Sequence, residues 1–382
     1  MLVALENPQR KLRAVQVVGT NGKGTTAVAL AGALEAEGHP TGTYLSPHLI
    51  SYTERVGLGG RYATESEFAA GMGRAIRTAD ECGVSASQFE ILTAGALAMF
   101  ADAGLSWAVL EAGLGARYDA TSAAEAEAVV LTNVGLDHTG YLGETVQEIA
   151  TEKLASLRDG AILVLGSDDP LVVELARLEC ERAGAELVEA PGVDLDPAES
   201  PGLAPYARRN VALGLRAAEA LLGREVGSGT RREVASGTGL PGRFERAEHR
   251  GVPVVVDGGH NPAGLAAALD GVRSVYPGRP LGVVFGALRD KDIPSMLLVL
   301  KSEADTLTLT RPGNGRAAEP GWMEREFGPR DSGGRGAVLE GHVGDALDRA
   351  VEDAREAGGV VLVTGSLYTA ADALAHLRGD GS

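Results

Sequence analysis

The stretch Ala14–Glu37 reads AVQVVGTNGKGTTAVALAGALEAE, and its three parts decide the fold. AVQVV is a short apolar run of the kind a buried strand uses. GTNGKGTT (Gly19–Thr26) follows at once, and Thr25–Glu37 continues as an Ala/Leu-rich helical pattern. Strand, glycine loop and helix start are what a phosphate cradle needs. Glycines let backbone N–H groups face the phosphates, and the helix N-terminus adds partial positive charge. Lys23 supplies a point charge for the terminal phosphates, and the Thr25 hydroxyl can reach Mg²⁺. A glycine loop without the lysine would read as a plain capped turn.

Outward from this stretch, short β-branched runs alternate with longer helical patterns, the mark of an α/β chain with parallel strands. Strands are expected at Ala14–Val18, Trp107–Glu111, Ala128–Leu131 and Ala161–Leu165, then at Pro253–Asp257, Leu281–Gly286, Thr306–Leu309 and Gly359–Thr364. Helices are expected at Glu65–Asp80, Gln88–Ala101, Glu144–Leu157, Pro170–Ala183 and Tyr206–Leu222. In the second half they are expected at Pro262–Val275, Ile293–Lys301, Val343–Glu356 and Leu367–Leu377. Gly223–Arg243, rich in Gly, Ser and charge, reads as an inter-domain connection. Arg311–Gly336 reads as loop-dominated.

At 382 residues the chain exceeds one ordinary core, so two domains are expected. Its net charge of −17 argues against nucleic acid or an anionic membrane as the main partner, without forbidding a local phosphate pocket. Two cysteines, Cys82 and Cys180, cannot build a disulfide framework. No apolar run approaches a membrane span, and MLVALENPQRKLR has no secretory pattern, so the expected location is the cytoplasm.

The loop does not have the usual GxxxxGK[ST] spacing; a glycine separates its lysine from the hydroxyls. In this it resembles the Mur ligase superfamily and, more closely, the folylpolyglutamate synthase/dihydrofolate synthase family. Further segments match that family in order: YLSPHL (Tyr44–Leu49), SQFEILTA (Ser87–Ala94), LEAGLGARYDAT (Leu110–Thr121), LTNVGLDHTGYLG (Leu131–Gly143) and EIATEK (Glu148–Lys153). YARRN (Tyr206–Asn210), PGRFE (Pro241–Glu245), DGGHNP (Asp257–Pro262), GALRDKD (Gly286–Asp292) and TGSLY (Thr364–Tyr368) complete the set. The resemblance implies an N-terminal P-loop ATPase-type domain with a parallel-rich sheet, over residues 1–235. A smaller C-terminal Rossmann-like α/β domain, the glutamate ligase domain, is implied over 241–382.

It also implies roles. Thr20, Asn21, Gly22, Lys23, Gly24 and Thr25 would hold ATP, with Asn210, Arg243 and Asp257. Ser46, Glu111 and His138 would ligate Mg²⁺, with two metal sites in all. Glu111 ends a strand and is a hard oxygen ligand suited to Mg²⁺. Imidazole is a less natural partner, so the metal role of His138 rests on the resemblance. Lys153 matches a lysine that the family carbamylates. Arginine cannot shed its proton for that chemistry, and this arginine-dominated chain keeps only five lysines: Lys11, Lys23, Lys153, Lys291 and Lys301. His260 is a catalytic candidate, while Asn261 before Pro262 reads equally as a helix N-cap. Ser87, Gln88, Phe89, Glu90, Tyr118, Asp119 and Ala120 match pterin-side contacts. Phe89 could stack on a pterin or simply fill the core. Lys291 and Asp292 would help the second domain engage glutamate or nucleotide.

The implied reaction is ATP-driven amide formation. A carboxylate of dihydropteroate or a reduced folate becomes an acyl phosphate, and the amine of L-glutamate displaces phosphate. The partners are small molecules, and a monomer is expected. Ala116, Ser122, the LASL that starts at Leu154 and Ala207 depart from the family pattern, which bears on substrate identity more than on ATP use. Two rivals are a Mur-type ligase for a non-folate carboxylate and a non-catalytic nucleotide-binding homologue. A Rossmann dehydrogenase would want GxGxxG after the first strand, which GTNGKG does not provide.

Overall fold

A computed structural model describes residues 1–328 and 336–379. They form two compact units: Met1–Pro201 with Ala207–Thr238, and Gly202–Tyr206 with the chain from Gly239 onward. Both are mixed α/β structures built on parallel-rich sheets, in line with the expected class.

The first unit runs β1 (Arg13–Val18), α1 (Lys23–Ala36), β2 (Thr41–Tyr44), β3 (Val56–Leu58), α2 (Glu65–Glu81), α3 (Gln88–Asp102), β4 (Trp107–Glu111) and β5 (Ala128–Leu131). It continues through α4 (Thr139–Leu142), α5 (Val146–Leu154), β6 (Ile162–Leu165), α6 (Pro170–Ala183), β7 (Glu186–Glu189), most of α7 (Pro205–Leu222) and α8 (Ser228–Gly237). The strand order is β3-β2-β4-β1-β5-β6-β7, parallel except for β3 against β2. β1, β4 and β5 lie side by side at the centre and are buried almost end to end. Parallel strands covered on both faces need such unbroken apolar runs.

The second unit runs β8 (Glu245–His249), β9 (Val252–Val256), α9 (Pro262–Val275), β10 (Leu281–Phe285), α10 (Ile293–Glu303) and β11 (Thr306–Leu309). It closes with α11 (Pro320–Phe327), β12 (Val338–Leu339), α12 (Val343–Ala357), β13 (Val360–Thr364) and α13 (Leu367–Arg378). Its described strands are ordered β12-β11-β10-β13-β9-β8, with β8 antiparallel to β9.

Two readings need correction. Gly223–Arg243 is not simply a connection, because Ser228–Gly237 folds as α8 and the chain as far as Thr238 joins the first unit. Glu37 at the end of α1 accepts hydrogen bonds from Arg224 Nη2 (2.6 Å) and Thr230 Oγ1 (2.7 Å), which anchors this charged segment. Arg311–Gly336 contains α11, started by Pro320 and buried through Met323 and Phe327; its residues 329–335 lie outside the described set. β2, β3, β7, β8 and β12 are additional strands. TGTY of β2 is short and carries Gly42, where a Cβ would lie 2.5 Å from the Phe100 ring. The glycine that weakens the strand signal is therefore required by the packing.

Candidate active site

The site grows from the carboxyl edge of the first sheet, where open α/β sheets place their ligands. β1 delivers Gly19 there. Val17 of β1 is in register with Glu111 of β4, and Val18 with Leu131 of β5. The glycine loop after β1 is thus flanked by Glu111 on one side and by Thr132–Asn133 on the other.

Hydrogen bonds fix the loop's shape. Thr20 N–H donates to the Asn133 carbonyl (2.9 Å) and Asn21 N–H to Asn133 Oδ1 (3.0 Å). Asn133 Nδ2 and Thr132 Oγ1 both donate to the Asn21 carbonyl, at 2.9 and 2.7 Å. Thr20 Oγ1 accepts from Gly135 N–H at 2.9 Å. Gly22 has φ +84°, and a Cβ there would lie 2.4 Å from Asn210 Oδ1. Gly19, at φ +148°, has no more room: a Cβ would fall 1.9 Å from Thr132 Oγ1. Both positions therefore exclude side chains. α1 begins at Lys23 with Gly22 as N-cap and no side-chain cap, so the positive end of its dipole stands at the loop. Asn210 belongs to this arrangement, since Thr26 Oγ1 donates to its carbonyl at 3.1 Å. Thr25 is buried in the first turn.

Two lysines meet at one carbonyl. Lys23 Nζ donates to the Gly19 and Thr20 carbonyls at 3.1 and 3.2 Å. Lys153, on α5, donates to the same Gly19 carbonyl at 2.8 Å. Lys153 is only 3% exposed. Burial pushes its ammonium down to about 7, the Lys23 charge adds to the shift, and Asp137 and Glu152 oppose it.

The expected metal ligands sit on the same edge. Glu111 is 5% exposed and accepts from Ser46 N–H at 2.9 Å, which places the β2 and β4 candidates together. A buried carboxylate beside a hydroxyl residue is a donor set that suits Mg²⁺. His138 follows β5 at φ +52°, with Asp137 Oδ1 accepting from its N–H at 2.9 Å; its side chain is 41% exposed.

The pterin-side candidates divide by what already occupies them. Ser87 and Glu90 form the capping box of α3: the Ser87 N–H and hydroxyl both donate to Glu90 Oε2 at 2.7 Å, holding that carboxyl low. Asp119 is 9% exposed, and its oxygens accept from the N–H groups of Gly113, Leu114 and Thr121, so it braces the loop after β4. Phe89 packs half-buried against Tyr44, 5.7 Å between ring centroids. Gln88 donates to the Tyr52 hydroxyl at 3.0 Å. Tyr118 is 91% exposed, and Ala120 is half-buried at the start of a 3₁₀ turn.

In the second unit, Asp257 follows β9 and is 4% exposed. It accepts from the Tyr206 hydroxyl, from Phe244 N–H (2.9 Å) and from Gly259 N–H (2.8 Å). Burial and the Asp257 charge hold the Tyr206 phenol well above its usual range. Arg243 is half-buried beside Gly258, where a Cβ would lie 3.0 Å from the guanidinium. His260 Nδ1 is 3.2 Å from the Gly258 carbonyl. Asn261 caps α9 through Gly264 N–H (2.8 Å), with Pro262 at the first helical position. Asp292 likewise caps α10 ahead of Pro294, and Lys291 stands just before it.

Thr132 and Asn133 were missed as loop-shaping residues. Their signal is a Thr-Asn pair directly after an apolar strand, inside a segment already singled out.

These features define a two-part ligase architecture. Residues 17–188 match the Mur ligase middle domain, and residues 242–367 match the Mur ligase glutamate ligase domain. The chain is 33% identical to the Escherichia coli dihydrofolate synthase/folylpolyglutamate synthase, over 93% of this chain and 84% of that one. It is 30% identical to the Mycobacterium tuberculosis protein of the same name, over 96% and 86%. The chain therefore belongs to the dihydrofolate synthase/folylpolyglutamate synthase family. The crystal structure of Mycobacterium tuberculosis folylpolyglutamate synthase complexed with ADP and AMPPCP superposes with a TM-score of 0.91 at 28% identity, covering 100% of this chain and 94% of that one. E. coli FolC in complex with DHPP and ADP superposes at 0.84 and 28%, covering 99% and 92%.

Proposed function

We propose that this chain is an ATP-dependent ligase that adds L-glutamate to the carboxylate of dihydropteroate, of a reduced folate, or of both. The observation that carries the reading is the convergence of Lys23, Lys153 and the uncapped N-terminus of α1 on the loop at Gly19, one strand from Glu111.

The α1 N–H groups and Lys23 bind the ATP phosphates, together with Thr20, Asn21, Gly22, Gly24 and Thr25. Asn210, Arg243 and Asp257 complete the nucleotide contacts. The substrate carboxylate attacks the γ-phosphorus, and ADP leaves. The glutamate amine then adds to the acyl phosphate, and phosphate departs through a tetrahedral intermediate. Positioning and charge screening are the enzyme's main contributions. Lys23 is fixed by two carbonyls and needs little reorganisation as charge moves. Ser46, Glu111 and His138 would hold Mg²⁺, which when bound neutralises phosphate charge.

Lys153 fits the carbamate role on electrostatic grounds. Two ammonium groups on one carbonyl repel, and an amine titrating near 7 is substantially neutral and nucleophilic at neutral pH. Its addition to CO₂ forms a C–N bond, releases a proton and replaces the second cation with an anion suited to a second Mg²⁺. His260 is retained as a catalytic candidate, and Ser87–Glu90 with Tyr118–Ala120 as the pterin side. Within that stretch, the exposed Tyr118 is freer to meet a ligand than Asp119, which braces its own loop.

The enzyme is proposed to work as a cytoplasmic monomer on small molecules. Its net charge of −17 supports the absence of a nucleic-acid partner. Among the described residues, no helix is long and apolar enough to cross a membrane.

The test is phosphate release from Mg·ATP and L-glutamate with dihydropteroate in one arm and tetrahydrofolate in the other. Release in either arm supports the reading and identifies the acceptor. Silence in both, with ATP still bound, removes the folate assignment.

A further inference from the structure

Away from the phosphate loop, the second unit brings two imidazoles to one carboxylate oxygen. His249 ends β8. The β8–β9 hairpin turns on Arg250 and Gly251, both at positive φ (51° and 81°), as a two-residue primed turn requires, and this pairs His249 with Val252. Asp348 lies mid-way along α12, and His376 lies in the last turn of α13. His249 Nε2 is 2.8 Å from Asp348 Oδ1, and His376 Nε2 is 3.1 Å from the same oxygen. The two rings meet edge to face, with centroids 5.7 Å apart. All three ligand atoms lie within 4.8 Å of one another. The side chains are 20%, 28% and 31% exposed for His249, Asp348 and His376, so the cluster is accessible to solvent.

Two neighbours make this look built. Arg250 Nη2 donates to the other carboxylate oxygen, Oδ2, at 2.7 Å and so leaves Oδ1 facing the imidazoles. Gly344, one helical turn before Asp348, lies against the His376 ring: a Cβ there would sit 2.7 Å from Nδ1. Only glycine gives the ring that position without displacement.

We propose that His249, Asp348 and His376 form a binding site for a borderline divalent transition cation of the Zn²⁺, Co²⁺ or Ni²⁺ type. On binding, the cation takes the place of the Nε2 protons that face Asp348, so that neutral imidazoles with their protons on Nδ1 present Nε2 lone pairs and the carboxylate presents Oδ1. A cation about 2.1 Å from each ligand needs ligand atoms roughly 3 Å apart, and the two measured separations meet that. Arg250 acts as the outer partner that orients a metal-bound carboxylate. It also offsets the carboxylate's charge, so affinity rests on the imidazoles and selects against Mg²⁺ and Ca²⁺. The C-terminal end of α13 adds its negative partial charge. Water completes the coordination shell, and the cation ties the β8–β9 hairpin to α12 and α13.

The test is titration of chelator-treated full-length protein with Co²⁺, followed by visible absorption and equilibrium dialysis. Wild type and Glu111→Ala should both bind one equivalent at this site with imidazole-type spectra. His249→Ala should weaken it at least tenfold. His376→Gln, which keeps an N–H donor for Asp348, should do the same while the circular dichroism stays native. An absent cobalt spectrum in wild type, affinity unchanged in both histidine variants, or loss of binding in Glu111→Ala alone would overturn the proposal.

Discussion

Replacing Lys153 with methionine keeps a long, unbranched side chain in a nearly closed site and removes the amine. The ammonium is 3% exposed and its pKa is pushed down to about 7, against an ordinary value of 10.5. A shift of that size corresponds to about 5 kcal/mol of destabilisation when the group is charged, at 1.36 kcal/mol per unit. The unfolded chain holds this proton up to about pH 10.5, whereas the folded chain releases it near pH 7. Between those values the unfolded state binds more protons, so wild-type stability rises with pH across the window. The cost is fully present below pH 7, has fallen to about 2 kcal/mol by pH 9, and is nearly gone at pH 10.5. Lys153→Met lacks this dependence. Urea unfolding of both proteins in CO₂-free buffer should therefore show a stability difference that moves in favour of wild type by about 2 kcal/mol between pH 7 and pH 9. A difference constant over that range would refute the claim that a strained ammonium is buried beside Lys23.

Other expectations follow from the same geometry. Gly22→Ala forces an L residue to φ +84° and a Cβ into Asn210; calorimetry should show Mg·ATP affinity reduced at least tenfold, with the fold weakened by about 1–2 kcal/mol. Asp257→Asn loses one acceptor among three donors and should destabilise the protein by about 1–3 kcal/mol in chemical unfolding. With ¹³C-bicarbonate, wild type should show a carbamate resonance that is absent in Lys153→Arg, because a guanidinium does not add to CO₂.

The strand–loop–helix around Gly19 was legible, because strand, glycines, lysine and helix start are contiguous. Glu111 was legible as a strand end, but its register with Val17 depends on β4 pairing with β1, which no local pattern states. The burial of Lys153 was present in the spacing: Ile149 and Ala150 lie one helical turn before it, on the same buried face of α5. Ser87 and Glu90 carry the S-x-x-E signature of a capping box, and the structure gives them that duty. α8 was obscured by its Gly, Ser and Arg content, since its stability comes from α1 and Glu37 rather than from propensity. β8, ERAEH, was hidden because an edge strand can be polar. The His249–Asp348–His376 cluster joins residues 99 and 28 positions apart and has no sequence signature at all.

The most direct measurement is mass spectrometry of the acceptor after incubation with the enzyme, Mg·ATP and L-glutamate, using dihydropteroate and tetrahydrofolate in parallel. The expected result is an ATP-dependent gain of one glutamyl residue on at least one acceptor, slowed roughly 10²–10³-fold in Lys23→Ala, as for loss of one charge-stabilising group. No glutamylated product on either acceptor, or an unchanged rate in Lys23→Ala, would contradict the assignment of this loop as the engine of glutamate ligation.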